Sequence, residues 1–176
     1  MVKAQVGCTI KTFLCQQLGL KPEYLETRIQ TIFLDGRPVD DVNSVIITDG
    51  STLAISAAMP GLVGATLRKG SYYASMRSQI SYREMTLSQS LHKGIILLKL
   101  FNLILKDLGP AFLKKGVWIN GKDLSNFFSI QSDDFWKGCK EAKVDGKNID
   151  LDKLLDITWV NKHVFLKLIP FINRLQ

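Results

Sequence analysis

The chain has 176 residues, of which 46% are hydrophobic and 22% are charged, and its formal net charge is +7 at pH 7. This composition supplies enough apolar surface to fill one domain or two small ones, which excludes an intrinsically disordered chain. The basic excess favours partners that carry negative charge, although it is also common in proteins that bind no polyanion.

The first 56 residues combine short strands with one capped helix. A strand is predicted at residues 2–6, and Thr9 can cap a helix over residues 10–18 that ends at Gly19. The elements that follow are a short helix or turn after Pro22, a strand at 29–34, a hairpin turn at Asp35-Gly36, an apolar run at 45–47 and a strand at 52–56. The predicted order is strand, helix, strand, hairpin, strand.

Residues 57–81 are rich in glycine, alanine and serine, and their pattern leaves several structures open. A linker, a glycine-bent pair of strands, a loop over the core and a hairpin whose tip lies at Lys69 are all compatible with it. The glycines let backbone amides approach a phosphate, and Arg68 and Lys69 could neutralise its charge, although the GK[ST] of a P-loop is missing. Gly61, Gly64, Arg68 and Lys69 are therefore candidate contacts for an anion or a partner.

The C-terminal half is predicted to be helix-rich. A long amphipathic helix, capped by Thr86 or Ser88 and ending at Leu108, is expected because apolar residues recur at helical spacing. Those residues are Leu91, Ile95, Leu98, Phe101 and Leu105. The elements after it are a hairpin-type turn at Asn120-Gly121, a helix at 132–142, a second such turn at Asp145-Gly146, and helices at 151–158 and 162–175, the last of which Pro170 can kink.

Three lysines in the C-terminal half have helical spacing. Lys137, Lys140 and Lys143 would form one stripe on a helix over residues 132–142. Such a stripe can follow the phosphates of a nucleic acid, although it is more often a solvated helix face. Lys137 and Lys140 are therefore further candidate contacts for an anion or a partner.

Cysteine and histidine are sparse. Cys8, Cys15 and Cys139 form no CxxC pair, so we expect reduced thiols rather than a disulfide framework. Two histidines cannot complete a zinc site of ordinary spacing, and neither a metal nor another cofactor is predicted. The N-terminus lacks the pattern of a signal peptide, and the longest apolar run, 94–105, is too short to cross a bilayer. A cytoplasmic protein without a transmembrane segment is the expectation.

Between Gly7 and Ser56 the sequence resembles the small β-grasp (ubiquitin-like) sulfur carriers of thiamine and molybdopterin synthesis. The matching pieces are GCTIKTFLCQQLGL, IFLDGRPVDD and VIITDGSTLAIS. The resemblance implies a β-grasp-like scaffold. Those carriers begin with a full hairpin, whereas at most one short strand precedes the helix here. They also end in a Gly-Gly tail that carries sulfur, whereas this chain continues far beyond Gly61 and Gly64.

We therefore predict an α+β protein with a β-grasp-like unit and its glycine-rich extension at 1–81, followed by a helix-rich unit at 82–176. The leading hypothesis is a non-enzymatic protein-binding or assembly module, with self-association included, because an open β-grasp sheet leaves a face and edge strands for partners. Two alternatives stay open. One is a protein related to sulfur carriers, or an accessory protein of cofactor biosynthesis. The other is a weak nucleic-acid binder with a basic surface. No catalytic residue is predicted.

Overall fold

A computed structural model describes residues 1–82, 90–159 and 161–170 of the chain. The chain divides into two compact units, Met1–Ala111 and Phe112–Gln176. Both contain helices and strands, which confirms the α+β class. The sequence predicts a boundary between residues 81 and 82, and that boundary stays a prediction. Among the described residues, no helix combines the length and the apolar character that crossing a bilayer requires.

The first unit is built on a mixed sheet of five strands. Its elements are β1 (Val2–Val6), the π-helical α1 (Thr12–Gln17), α2 (Pro22–Thr27), β2 (Thr31–Leu34), β3 (Arg37–Pro38), β4 (Thr52–Ser56), α3 (Gly61–Leu67), the 3₁₀-helical α4 (Tyr72–Arg77), β5 (His92–Phe101) and α5 (Asn102–Lys115), which crosses the boundary between the units. The strand order is β1-β5-β4-β2-β3. The β4–β5 pair is parallel, and the other three pairs are antiparallel.

One face of this sheet forms the core of the first unit together with α1. Side chains from the strands, from that helix and from Ile10 just before it are fully or almost fully buried: Val6, Ile10, Phe13, Leu14, Ile32, Leu34, Leu53, Ile55 and Ile96. Because β5 joins β1 to β4, the sheet depends on a strand from a distant part of the sequence.

The local signals of the N-terminal sequence are confirmed. Thr9 Oγ1 accepts a hydrogen bond from the Thr12 amide at 3.2 Å, and Gly19 follows α1 with a φ of +77°. Asp35 and Gly36 both have positive φ values, 49° and 80°, which is the geometry of a tight hairpin turn between β2 and β3. Capping and turn chemistry act over a few residues, so they can be predicted without knowledge of the fold.

The long helix predicted to end at Leu108 is wrong over its first half. Residues 92–101 form β5, and α5 begins only at Asn102. Its predicted caps, Thr86 and Ser88, lie outside the described residues. An apolar run that is broken only by Lys99 fits a helix and a strand equally well by spacing, and pairing with β1 and β4 decides in favour of the strand.

The glycine-rich stretch forms two short helices, α3 and α4, so the hairpin and the strand pair considered for it are wrong. A Cβ on Gly64 would overlap the backbone carbonyl of Met59, so glycine is required here for close packing.

The second unit contains two small two-stranded sheets. Its elements are β6 (Val117–Asn120), α6 (Gly121–Ser129), α7 (Asp133–Trp136), β7 (Ala142–Val144), β8 (Lys147–Ile149), α8 (Leu151–Leu155) and β9 (His163–Leu166). Strand β6 pairs with β9, and β7 pairs with β8 through the predicted turn at Asp145-Gly146. Leu124 and Leu154 are its buried hydrophobic side chains among the described residues.

Three predictions for this unit need correction. Asn120 is the N-cap of α6, with its side chain accepting from the Lys122 amide at 2.9 Å, rather than part of a hairpin turn. The helix predicted at 132–142 ends at Trp136, and residues 163–166 of the helix predicted at 162–175 form a strand. The end of that predicted helix, 171–176, lies outside the described residues. The helix predicted at 151–158 is confirmed for Leu151–Leu155.

A polar contact between α2 and α5 makes the stability of the first unit depend on pH. The Tyr24 hydroxyl and Arg28 Nη2 both donate to Asp107 Oδ2, at 2.9 and 3.1 Å. These bonds hold the pKa of Asp107 below its ordinary value. Burial, together with the bond to Asp107, raises the pKa of Tyr24 to about 12.

We expect the stabilisation by Asp107 to be present above the ordinary carboxyl pKa and to be lost as the pH falls through the lower, folded-state value. Urea unfolding between pH 7 and pH 2.5 tests this. The wild type should lose more stability than Asp107→Asn over that range, and Tyr24→Phe should fall between them. Parallel pH profiles for the wild type and Asp107→Asn would contradict the expectation.

Candidate functional site

Strand β5 has apolar side chains on both of its faces. Ile96 is fully buried in the core, whereas Ile95, Leu97 and Phe101 are 44%, 38% and 49% exposed. Side chains alternate between the two faces of a strand, so these three residues lie together on the face away from the core. We call this face the outer sheet face.

The strand register identifies the other members of the outer sheet face, because directly opposed residues point to the same side. The pairs are Lys3 with Ile95, Gln5 with Lys93, Thr52 with Leu97, Ala54 with Lys99, Ser56 with Phe101, and Phe33 with Ala54. The face therefore has an apolar centre with lysines among and beside the apolar side chains. None of the side chains that define it is acidic.

The acidic residues nearest in the register are held by the backbone. Asp49 Oδ1 accepts from the Ile95 amide at 2.7 Å, and Asp35 Oδ1 accepts from the Thr52 amide at 2.6 Å. Within the described part of the chain, neither Lys93 nor Lys99 forms an ion pair. The charged side chains of the outer sheet face itself are therefore all basic, and the carboxylates of Asp35 and Asp49 lie at its border.

A cavity of about 400 Å³ opens on the outer sheet face. Its walls are Phe33, Gly36, Thr52, Ala54, Ser56, Met59, Lys99, Phe101 and Asn102. Cavities of this size and apolar character accept a large side chain or a small molecule.

Asn102 stands at one end of this cavity, where β5 meets α5 without a loop. Its φ is +54°, which is uncommon for a residue other than glycine, and its Nδ2 donates to Ser56 Oγ at 3.0 Å. Non-glycine residues with positive φ are concentrated at functional sites, and Asn102 is such a residue in the wall of this cavity.

Residues 57–82, here called the connecting segment, supply Met59 to the cavity wall. A buried arginine fastens the segment: Arg77 forms a two-pronged ion pair with Asp40, at 2.6 and 3.0 Å. The same guanidinium donates to Thr66 O and to Ser81 Oγ, both at 2.6 Å. Because Gly64 of α3 packs on the backbone of Met59, this clamp also supports the cavity wall.

The predicted site residues of the connecting segment take part in internal contacts. Lys69 Nζ donates to Leu25 O at 2.6 Å, and burial lowers the pKa of this lysine. The carbonyl of Arg68 accepts from Ser71 at 3.3 Å. Gly61 begins α3 with a φ of +77°, and Gly64 is buried. These four residues therefore have roles in the structure of the connecting segment. Their predicted role in binding an anion or a partner stays a prediction.

The other two predicted site residues belong to the second unit. Lys137 Nζ pairs with Asp134 Oδ1 at 2.5 Å, with both side chains exposed. Lys140 is exposed in the stretch between α7 and β7, beside a shallow polar depression that Glu141 and Asp150 also line. Since α7 ends at Trp136, these lysines do not form the helical stripe that the spacing predicted.

The cysteines are free thiols, and burial raises the pKa of Cys8 and Cys15. Cys8 Sγ donates to Gln5 O at 3.3 Å, and Gln17 Nε2 donates to the sulfur at 3.2 Å. A thiol with a raised pKa is a poor nucleophile at neutral pH. Among the residues that the structure describes, no group of three or more His, Cys, Asp or Glu side chains is suited to hold a metal ion.

Comparison with protein-family models, with curated proteins and with solved structures gave no match to this chain. The interpretation of the outer sheet face therefore depends on its own geometry.

Sequence reasoning missed the outer sheet face because it assigned 91–101 to a helix. The signal that could have found it is the apolar character of both alternating sets in GIILLKLF, residues 94–101. A strand at the surface of a sheet ordinarily alternates apolar and polar residues, so a strand that is apolar on both sides indicates a second buried or binding face.

Proposed function

We propose that the protein is a non-enzymatic protein-binding module whose binding surface is the outer sheet face. The partner presents a large apolar side chain flanked by acidic residues. The observation that carries the proposal is the exposure of Ile95, Leu97 and Phe101 on one strand, beside a cavity and among lysines. Contiguous exposed apolar patches rimmed by polar residues mark interaction sites in soluble proteins.

Binding at this surface has two physical components. Covering the three half-exposed side chains removes apolar surface from water, which favours association by about 25 cal/mol per Å². A partner side chain that fills the cavity between Phe33 and Phe101 is the expected hot spot, because buried anchors carry most of the energy of an interface. Lys93 and Lys99 then select acidic over basic neighbours of that anchor.

We further propose that the first unit is a β-grasp-like fold in which β5 replaces a strand of the usual first hairpin. The sulfur carriers begin with a hairpin, and here β1 pairs in the antiparallel sense with β5, which comes from much later in the chain. The hairpin turn is absent, but the strand pair next to the helix is kept. Such an exchange explains why only one strand precedes the helix in the sequence.

Selection of random peptides on phage against the full chain tests the proposed function. We expect enriched sequences with an aromatic or large aliphatic residue next to Asp or Glu. Leu97→Asp should weaken binding of the selected peptides by at least ~30-fold, which is the size of a hot-spot effect. Lys99→Glu should shift the enriched sequences from acidic towards basic residues.

Leu62→Asp is the matched control, since Leu62 is also exposed but lies on α3 rather than on the outer sheet face. It should bind the selected peptides like the wild type, and circular dichroism should show that all the variants are folded. Enrichment of the same peptides by Leu97→Asp would overturn the proposed function.

A further inference from the structure

The second unit carries a surface that complements the outer sheet face. In residues 130–136, here called the acidic-aromatic segment, Ile130 is 77% exposed and Phe135 is 48% exposed. Asp133 and Asp134 lie immediately before Phe135, and both are exposed. The segment therefore combines an apolar anchor with adjacent negative charge, which is the chemistry proposed for the partner.

The acidic-aromatic segment is preorganised to present this chemistry. The Phe135 ring contacts the rings of Phe127 and Trp136 edge to face, with centroids 5.7 and 5.1 Å apart. The ion pair of Asp134 with Lys137 joins two highly exposed side chains, so it is worth little and can be exchanged for another lysine. Asp133 has no ion pair within the described residues.

We propose that the outer sheet face of one copy of this chain binds the acidic-aromatic segment of a second copy. This inference rests on the proposed function and names its partner. Phe135 fills the cavity beside Phe33 and Phe101, and the carboxylates of Asp133 and Asp134 face Lys99. Ile130 covers the apolar strip of β5. The two surfaces differ, so the contact is head-to-tail, and it either closes reciprocally as a dimer or continues as a chain of copies.

Charge exchange between the two surfaces tests the proposal on the full chain. Sedimentation equilibrium of the wild type should give a mass that rises with concentration above the 19.8 kDa of one copy. Lys99→Glu alone, and the double variant Asp133→Lys with Asp134→Lys, should each weaken self-association at least ~10-fold, because like charges then oppose each other. Lys21→Glu, at an exposed lysine outside the outer sheet face, should associate like the wild type.

Mixing the two charge variants in equal amounts is the decisive step. The reversed sheet face of one variant then meets the reversed segment of the other, so association should return in the mixture to at least half of the wild-type extent. A wild type that stays at 19.8 kDa at every concentration would overturn the proposal, and so would a mixture that behaves as the sum of its components.

Failure of the self-association proposal can be distinguished from failure of the proposed function. If the wild type is monomeric but Leu97→Asp still abolishes peptide binding, the outer sheet face is a binding surface for another protein and the second copy is the wrong partner. If Leu97→Asp changes neither peptide binding nor the mass, both proposals are wrong.

Discussion

Replacing Ile96 with aspartate is expected to unfold the first unit, whereas the same replacement at the neighbouring Ile95 leaves it folded. Ile96 is fully buried in the core, and an unpaired carboxylate there loses both the packing of the isoleucine and the hydration of its charge. The Ile96→Asp replacement is therefore expected to lower the free energy of unfolding by more than the roughly 2–5 kcal/mol of an Ile→Ala change. A loss of that size is comparable with the whole stability of a small domain. Ile95 points to solvent on the outer sheet face, so its replacement should cost less than about 1 kcal/mol.

Urea unfolding followed by far-ultraviolet circular dichroism measures this difference. Ile96→Ala serves as a milder variant, because it should remain folded and yield a measurable loss of about 2–5 kcal/mol in the free energy of unfolding. On the helix that the sequence spacing suggested, Ile95 would lie on the core face with Leu98. Greater destabilisation by Ile95→Asp than by Ile96→Asp would therefore contradict the assignment of β5.

Replacing Asp40 with alanine is expected to destabilise the first unit by about 3 kcal/mol, because it leaves a buried guanidinium without its counter-charge. Arg77 is almost fully buried, and both of its terminal nitrogens bond to Asp40. Its other bonds, to the carbonyls of Thr66 and Arg68 and to Ser81 Oγ, satisfy its donors but do not balance its charge. The connecting segment is therefore expected to loosen first.

Asp134→Ala is the matched control, because Asp134 also pairs with a basic side chain but both side chains of that pair are highly exposed. Its cost should stay below about 0.5 kcal/mol. Chemical unfolding gives both values, and limited proteolysis should show earlier cleavage within residues 57–82 in Asp40→Ala. Equal stability of the two variants would show that the ion pair of Arg77 does not hold the connecting segment.

Local signals allowed much of the first unit to be predicted from the sequence. The cap at Thr9, the helix end at Gly19 and the hairpin at Asp35-Gly36 each depend on side chains or backbone conformations within a few residues. Strands β1 and β4 were predicted because short runs between turn residues limit the alternatives.

Long-range pairing could not be predicted in the same way. In β5 the apolar residues of the core face and of the outer sheet face together form one run, broken only by Lys99, whose spacing also satisfies a helix. The apolar side chains on the outer sheet face make it a candidate binding surface. The same side chains made the spacing fit a helix, so the strand was not predicted. Arg77 and Asp40 are 37 positions apart, so no local pattern could indicate their ion pair.

The second unit was predicted less well because its elements are short. A four-residue helix at Asp133–Trp136 and a four-residue strand at His163–Leu166 contain too few residues for a period to be distinguished. The turn at Asp145-Gly146 was found because both residues adopt positive φ, for which Asp-Gly is favoured.

The alternatives raised by the sequence stay predictions. Sulfur transfer would require cleavage near Gly64, which intact mass measurement would detect as truncation or as a mass gain from sulfur. Nucleic-acid binding through Arg68, Lys69 and the lysines of the second unit would weaken steeply with salt, and a flat response would exclude it.

Nuclear magnetic resonance titration of the full chain with one selected acidic, aromatic peptide tests the binding surface most directly. We expect the amide resonances of Ile95, Leu97, Lys99 and Phe101 to shift together and to saturate with one affinity, while those of the fully buried Ile10 and Leu14 stay in place. Shifts that avoid β5 and concentrate elsewhere would show that the outer sheet face is not where this protein binds.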